Sequence, residues 1–209
     1  MRTFLVALVL LLTPVMATAG QIVVALKDAA GQPVANAVVT FAPAAGHPAP
    51  ARESGPYVVT QAKVHFDPFV IVAPVGAQVD FPNKDKVRHH VYSFSKAKRF
   101  ELKLYGRDET RHVTFDQPGV VALGCNIHDQ MVGFVFVTDT PYVAKSGADG
   151  EVVLDNLPAG PGVLTVWHPF QRSRYNESAQ PLTVPAQGQA HAAFSLNLKA
   201  PPPDKTPLL

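Results

Sequence analysis

The hydrophobic residues of this chain fall in short, Val-rich or alternating runs that are separated by turn residues. Runs of about four to eight residues with a period of two are typical of β-strands. No segment shows the period of an amphipathic helix, so the pattern predicts an all-β protein. The clearest runs cover residues 21–26, 34–41, 64–73, 78–81, 89–94, 100–105, 111–115, 119–123, 132–137, 151–154, 163–168 and 190–198.

Two details of this pattern can be checked against the structure. Residues 21–26 and 34–41 flank a turn at 27–33, which predicts that they pair as a hairpin. Phe100, Leu102 and Leu104 alternate with polar residues and Tyr105, which predicts a strand with these three side chains on its buried face. The single tryptophan, Trp167, is predicted to lie in a core.

The first 19 residues have the features of a secretory signal peptide. Arg2 precedes an apolar stretch at 4–12, which is too short for a membrane span, and Ala17-Thr-Ala19 fits the small-x-small cleavage rule. We therefore expect a periplasmic mature chain that begins near Gly20 and has no membrane span. The formal net charge of +2 gives no case for nucleic-acid binding by charge alone.

The chain has one cysteine, Cys125, which cannot form an internal disulfide bond in an oxidising compartment. His128 follows three residues later, and Met131 three residues after that. A thiolate, an imidazole and a thioether are soft to borderline ligands that suit copper, whereas a thioether is a poor ligand for zinc. Strand-like runs lie on both sides, so the sequence predicts a metal-binding loop between two strands.

A trigonal copper site needs a second imidazole, and His89 and His90 are the best placed of the eight histidines. Adjacent side chains of a strand point to opposite faces, so only one of the two can face the metal. Gln130 is an alternative to Met131 as the axial ligand, because glutamine substitutes for methionine at some copper sites.

Three segments together resemble the cupredoxins, the small blue copper proteins that include plastocyanin and amicyanin. These segments are Asn83-Lys-Asp-Lys-Val-Arg-His-His-Val91, Pro118-Gly119 and Cys125-Asn-Ile-His-Asp-Gln-Met131. The resemblance covers roughly residues 57–139 and implies a Greek-key β-sandwich. It also implies one type 1 copper per chain, with His89, Cys125 and His128 as ligands and Met131 as the axial ligand.

The resemblance further implies that Asn83 braces the ligand loop near the cysteine sulfur. Two positions depart from the family pattern, since Arg88 replaces a proline and His90 replaces an asparagine. The longer chain also resembles proteins labelled "methylamine utilization".

The flanking segments resemble a different family. Residues 28–39 and 148–160 are similar to the two halves of a carboxypeptidase regulatory-like, transthyretin-type β-sandwich. This implies that the cupredoxin is inserted in a second sandwich or fused to it. The expected organisation is a signal peptide at 1–19, sandwich segments at 20–56 and 141–199, a cupredoxin domain at 57–140 and a disordered tail at 200–209.

These features together predict a monomeric, non-enzymatic protein that carries single electrons. The resemblance to the cupredoxins implies that His128 is the electron exit. Six basic residues between Lys84 and Arg99 face only one acidic residue, Asp85, in the same run. Such a run is either a solvated face or a docking patch for a redox partner with an acidic surface. The alternatives are a copper carrier or storage protein and a metal-free β-sandwich scaffold.

Overall fold

The computed structural model describes residues 20–46, 48 and 56–200. The predicted signal peptide, residues 201–209 of the tail and most of the segment 47–55 lie outside the described residues. The described chain is built almost entirely of β-strands, which confirms the all-β fold class. Its one helical segment is a short 3₁₀ turn at Arg174–Asn176, and no described helix is long and apolar enough to cross a membrane.

The strands, in chain order, are β1 (Gly20–Asp28), β2 (Val38–Pro43), β3 (Tyr57–Val58), β4 (Thr60–Ala62), β5 (His65–Asp67), β6 (Val70–Pro74), β7 (Ala77–Pro82), β8 (His89–Ser95), β9 (Lys98–Tyr105), β10 (Thr110–Phe115), β11 (Gly119–Cys125), β12 (Val132–Thr138), β13 (Val143–Lys145), β14 (Glu151–Leu157), β15 (Gly160–Trp167), β16 (Glu177–Val184) and β17 (Gln189–Leu196).

The central part of the chain forms one sandwich. A five-stranded sheet of order β6-β12-β11-β8-β9 faces a three-stranded sheet of order β10-β7-β3, and β4 and β5 form a hairpin beside them. Their inward side chains, such as Val79, Phe81, Val91, Phe115 and Val121, share one buried core. Cys125 and Met131 belong to this core, so the predicted ligand loop is anchored in the packed interior.

The two flanking parts of the chain form a second sandwich with its own core. Its sheets have the orders β14-β1-β17 and β13-β2-β15-β16. Ile22 and Leu26 of the first sheet and Phe41 and Leu164 of the second are buried together. The central sandwich therefore lies in the chain between β2 and β13, two strands that pair with each other.

Aromatic side chains fill the junction of the two sandwiches. Trp167 at the end of β15 is buried, in agreement with its predicted place in a core. Its ring centroid lies 5.7 Å from that of Phe134 and 5.6 Å from that of Phe136, both on β12. Because β12 pairs with β11, this junction contacts the sheet that carries Cys125.

The predicted hairpin between the first two strand-like runs is wrong. β1 pairs with β14 and β17, whereas β2 pairs with β13 and β15 in the other sheet. The second strand begins at Val38, after Asn36, whose φ of 60° takes the chain out of the extended conformation. The two strands thus face each other across a core, which an alternating pattern cannot distinguish from pairing side by side.

The predicted buried face of β9 is wrong at one end. Phe100 and Leu102 pack against the core, but Tyr105 is fully buried and Leu104 is exposed. The pairing of β8 with β9 shifts between His89 and Val91, and this irregularity reverses the alternation. The pattern also missed β13, which has three residues, and β16, an edge strand whose sequence includes a proline.

Candidate metal centre

Two neighbouring strands bring His89 and Cys125 together. β8 begins at His89 and β11 ends at Cys125, and the antiparallel pairing of these strands places Cys125 opposite Val91. The N–H group of Asn126 donates a hydrogen bond to the His90 carbonyl at 3.1 Å, which holds the ends of the strands together. The loop then turns tightly, with the N–H group of Met131 donating to the His128 carbonyl at 2.9 Å.

Three of the four predicted ligands converge on one point. The Cys125 Sγ atom lies 3.7 Å from His89 Nδ1 and 3.7 Å from His128 Nδ1. One ligand atom from each of the three residues lies within 4.8 Å of the others. His89 is fully buried and Cys125 is 3% exposed, whereas His128 is half-buried. The group therefore opens towards solvent on the His128 side.

The structure places His90 away from this group. Its Nε2 atom lies 2.9 Å from Glu101 Oε1 on β9. Because neighbouring residues of β8 alternate between faces, His89 points into the sandwich and His90 does not. Met131 is buried in the same core as Cys125 and Gln130 is half-exposed. The assignment of Met131 as the axial ligand stays a prediction.

The surroundings of Cys125 favour the thiolate. Burial by itself would raise the pKa of the thiol, but hydrogen bonds from His89, from the backbone of His90 and Ile127 and from His128 outweigh it. Together they lower the pKa of Cys125 to about 6. The thiolate is the form of cysteine that binds metals.

Asp85 is a functional candidate that the motif reasoning missed. Its Oδ2 atom lies 2.8 Å from His89 Nε2, on the side of the ring opposite to Cys125. Burial lowers the pKa of His89, but contacts with Cys125 and Asp85 raise this pKa by more than burial lowers it. The pKa of His89 therefore lies above its ordinary value. The available signal was that Asp85 is the one acidic residue in a basic run, four positions before His89.

Asn83 is completely buried and organises the loop before β8. Its Nδ2 atom donates to the Val87 carbonyl at 2.9 Å and to the Tyr105 carbonyl at 3.1 Å. Its Oδ1 atom accepts a hydrogen bond from the N–H group of Asp85 at 2.9 Å. These bonds join Asn83 to other residues of the 83–88 loop and to β9. Asn83 therefore supports the loop that carries Asp85 and leads to His89.

The donor set fits copper. One cysteine sulfur and two imidazole nitrogens match the trigonal His₂Cys arrangement that copper favours, and a structural zinc site normally requires four Cys or His ligands. Both imidazoles face the sulfur through Nδ1, which leaves Nε2 of each ring for other contacts. Among the described residues these three form the one such cluster of His, Cys, Asp and Glu side chains.

No family model matches the chain, and no curated protein matches it. Among solved structures, it is similar to a purple cupredoxin from Nitrosopumilus maritimus, with 23% identity, a TM-score of 0.35 and coverage of 39% of this chain and 96% of that chain. A reduced single-residue variant of amicyanin gives 23% identity, a TM-score of 0.37 and coverage of 48% of this chain and 98% of that chain.

A Cu-containing nitrite reductase from Thermus scotoductus SA-01 is 27% identical over 55% of this chain and 28% of that chain, with a TM-score of 0.39. Part of this chain thus has structural likeness to cupredoxins and to an enzyme. With TM-scores this low, the likenesses carry no weight for function, and what the chain binds has to follow from its own residues.

Proposed function

We propose that this chain is a periplasmic type 1 copper protein that carries single electrons and catalyses no bond chemistry. His89, Cys125 and His128 would hold the copper, and Met131 would be the fourth ligand. The observation that carries the proposal is the convergence of the Cys125 sulfur with two imidazole Nδ1 atoms, each at 3.7 Å. We propose the domain boundaries at 20–56, 57–140 and 141–199 as the organisation that goes with this function.

Copper bound here supplies a one-electron couple between Cu(I) and Cu(II). The protein residues hold the ligand positions in both states, because His89 and Cys125 emerge from paired strands of a packed sheet. Burial of both side chains excludes water from one side of the site. Little rearrangement is then needed when the charge of the site changes.

His128 is the proposed electron exit. It is half-buried, and its neighbour Ile127 is 48% exposed. Val87, in the loop before His89, is also exposed. Both loops that lead to the ligands thus present an apolar side chain to solvent, which suits brief contact with a partner protein.

The proposed partner is a redox protein with an acidic surface. In the basic run at residues 84–99, Lys84 is paired with Asp108 at 3.2 Å and Lys98 with Asp116 at 2.9 Å. The other basic residues of this run form no ion pair with any described residue. These unpaired basic residues are Lys86, Arg88, Lys96 and Arg99. A patch of this kind raises the association rate more than the affinity, and salt weakens its effect.

The test is the visible absorption of the purified protein after addition of Cu(II). We expect an intense thiolate-to-copper band that disappears in Cys125→Ser. His89→Ala should lose or shift the band, and His90→Ala is the matched control that should keep it, because His90 faces Glu101. A colourless protein, or weak bands that Cys125→Ser leaves unchanged, would contradict the proposal.

The second candidate is a copper carrier or storage protein with the same ligands. The half-buried position of His128 favours it, since an incoming ligand can displace an accessible histidine. Slow loss of copper to a chelator with fast electron self-exchange supports electron transfer. Rapid transfer of Cu(I) to a chelator supports the carrier, and a metal-free scaffold predicts neither.

A further inference from the structure

The turn between β4 and β5 has an unusual backbone. Its two central residues, Lys63 and Val64, both have left-handed conformations, with φ of 54° and 60°. Gly, Asn or Asp normally occupies such positions, and a β-branched valine there is a genuine outlier. Strained residues persist only where the surrounding structure determines their conformation, and they cluster at functional sites.

Asp85 is the group that this turn holds. Its Oδ1 atom accepts a hydrogen bond from the N–H group of Lys63 at 2.6 Å, and its Oδ2 atom accepts one from the N–H group of Val64 at 2.9 Å. Successive backbone N–H groups that point the same way form a binding site for an anionic group. The side chain of Val64 is buried in the core that contains Cys125, which fixes the turn against the sandwich.

The same carboxylate contacts the proposed ligand His89. Oδ2 lies 2.8 Å from His89 Nε2, and an ionised carboxylate can only accept hydrogen bonds. Nε2 must therefore carry a proton. The other ring nitrogen, Nδ1, is left facing Cys125 Sγ.

We propose that the Lys63–Val64 turn and Asp85 form a clamp that fixes the orientation and the protonated nitrogen of His89 before any metal is bound. The relevance of the clamp to copper rests on the proposed function, since it presents Nδ1 as the ligand atom. Asp85 is a positioning residue in this scheme. Through the Lys63–Val64 turn, the clamp includes the β4–β5 hairpin, which contributes no copper ligand.

The first experiment measures the ¹⁵N chemical shifts of the His89 ring in the metal-free, histidine-labelled protein, at a pH where the ring is neutral. We expect one tautomer in the wild type, with the proton on Nε2. Asp85→Ala removes the acceptor at Nε2 and leaves the Cys125 sulfur as the acceptor beside Nδ1, so we expect the Nδ1-protonated tautomer to appear. The variant should also speed hydrogen exchange at the N–H groups of Lys63 and Val64 by roughly tenfold, the size of one lost hydrogen bond.

Asp85→Asn is the conservative variant. The Oδ2 position receives two donors and Oδ1 receives one, so the asparagine oxygen should take the Oδ2 place. We therefore expect this variant to keep the Nε2-protonated tautomer and to lose protection only at Lys63. Asp116→Ala, which removes an exposed carboxylate that pairs with Lys98, is the control that should change neither readout.

The turn itself is tested with Asp85 intact. Inserting one glycine between Lys63 and Val64 separates the two N–H groups, and we expect the Nδ1-protonated tautomer of His89 to appear, as in Asp85→Ala. Lys63→Gly keeps the length of the turn and suits its backbone, so His89 should stay as in the wild type. If the insertion variant fails to fold, Asp85→Ala and Asp85→Asn still decide the outcome.

The clamp and the copper site can fail separately. A single Nε2-protonated tautomer in Asp85→Ala, or in a folded insertion variant, would overturn the clamp even if copper gives its thiolate band. Conversely, the expected tautomers in a protein that never forms that band would leave the clamp in place and remove the electron-transfer function. In the copper-loaded protein, we expect Asp85→Ala to weaken copper binding by about 10–100-fold.

Discussion

The protonation of Cys125 depends on a few neighbours that can be removed one at a time. Contact with His89 is the largest influence that lowers its pKa, which lies at about 6. In an unfolded chain the thiol has its ordinary pKa near 8.5. The folded, copper-free protein should therefore hold a thiolate at neutral pH, when exposed thiols are mostly protonated.

This can be measured by the ultraviolet absorption of the thiolate in the copper-free protein as a function of pH. We expect a midpoint near 6 in the wild type. His89→Asn should move the midpoint upwards, because burial raises the pKa of Cys125 and the hydrogen bond from His89 no longer offsets this effect. A midpoint that stays in place in His89→Asn would show that the backbone contacts and His128 dominate instead.

Tyr105 lies fully buried beneath the loop that leads to His89. Its hydroxyl donates to the Phe81 carbonyl at 2.9 Å and is hydrogen-bonded to the Gln61 side chain. Burial raises its pKa to about 12. The folded state thus keeps this proton at a pH where the unfolded chain releases it, so the tyrosine's contribution is complete below pH 10 and is lost as the pH rises towards 12.

We therefore expect the free energy of unfolding to fall by about 2–3 kcal/mol between pH 10 and 12 through this group. Tyr105→Phe should show a smaller fall over the same range. It should also be less stable at pH 7 by about 1–3 kcal/mol, because buried polar groups lose their partner. Denaturant unfolding at several pH values measures both effects, and equal slopes in the two proteins would contradict this account.

Site residues could be predicted from the sequence where they lie close together in the chain. The spacing of Cys125, His128 and Met131 is visible in the sequence, and strand alternation limits the choice between His89 and His90 to one of them. Asp85 could not be assigned in this way. Its partners include Lys63 and Val64, more than 20 residues away, and only the fold brings them together.

Strands were predictable where one face is buried. β7, β10, β11 and β12 alternate between buried and more accessible positions along most of their length. β16 was missed because two of its four inward positions are the polar residues Ser178 and Gln180, and Pro181 interrupts its pattern. Pairing was less predictable than the strands themselves, since the partners of β1 and β2 are set by distant segments of the chain.

Two glycines on the strands of the ligand loop allow a prediction at this scale. A Cβ atom at Gly133 would lie 2.9 Å from the Cβ atom of Phe66, which is buried. At Gly124 it would lie 2.8 Å from the ring of Tyr92, which is half-buried and can turn outwards. We expect Gly133→Ala to destabilise the protein by about 1–3 kcal/mol and Gly124→Ala by less.

Chemical denaturation of the two alanine variants checks this order. The copper band serves as a second readout, since Gly124 adjoins Cys125. A Gly124→Ala variant that is less stable than Gly133→Ala would mean that Tyr92 is held more firmly than its exposure indicates.

The two sandwiches meet through aromatic side chains. Trp167 packs against Phe134 and Phe136, and Phe69 lies 5.5 Å from Phe134 between ring centroids. Such a junction fastens the flanking sandwich to the outer face of the sheet that carries Cys125. The sequence could indicate that Trp167 is buried but not that it packs between two cores, because the contacting residues are more than 30 positions apart.

Trp167→Ala should therefore destabilise the whole molecule by about 3–5 kcal/mol, the cost of removing a large buried side chain. Trp167→Phe keeps an aromatic ring at the junction and should recover part of this loss. Differential scanning calorimetry of the three proteins would test it. A variant whose two sandwiches melt independently, with the central one unchanged, would show that the junction adds nothing to the stability of the central sandwich.

The parallel pairing of β1 with β17 has a mechanical consequence. A force that pulls Gly20 and Leu196 apart acts along these two strands in opposite directions, so the eight residue pairs that join them are sheared together. The central sandwich lies in the chain between β2 and β13, inside the segment that the β1–β17 pair closes off, and it bears no tension until this pair ruptures. Under stretching, the proposed copper ligands would keep their spacing while the flanking sandwich resists. Single-molecule extension should show that strong first rupture.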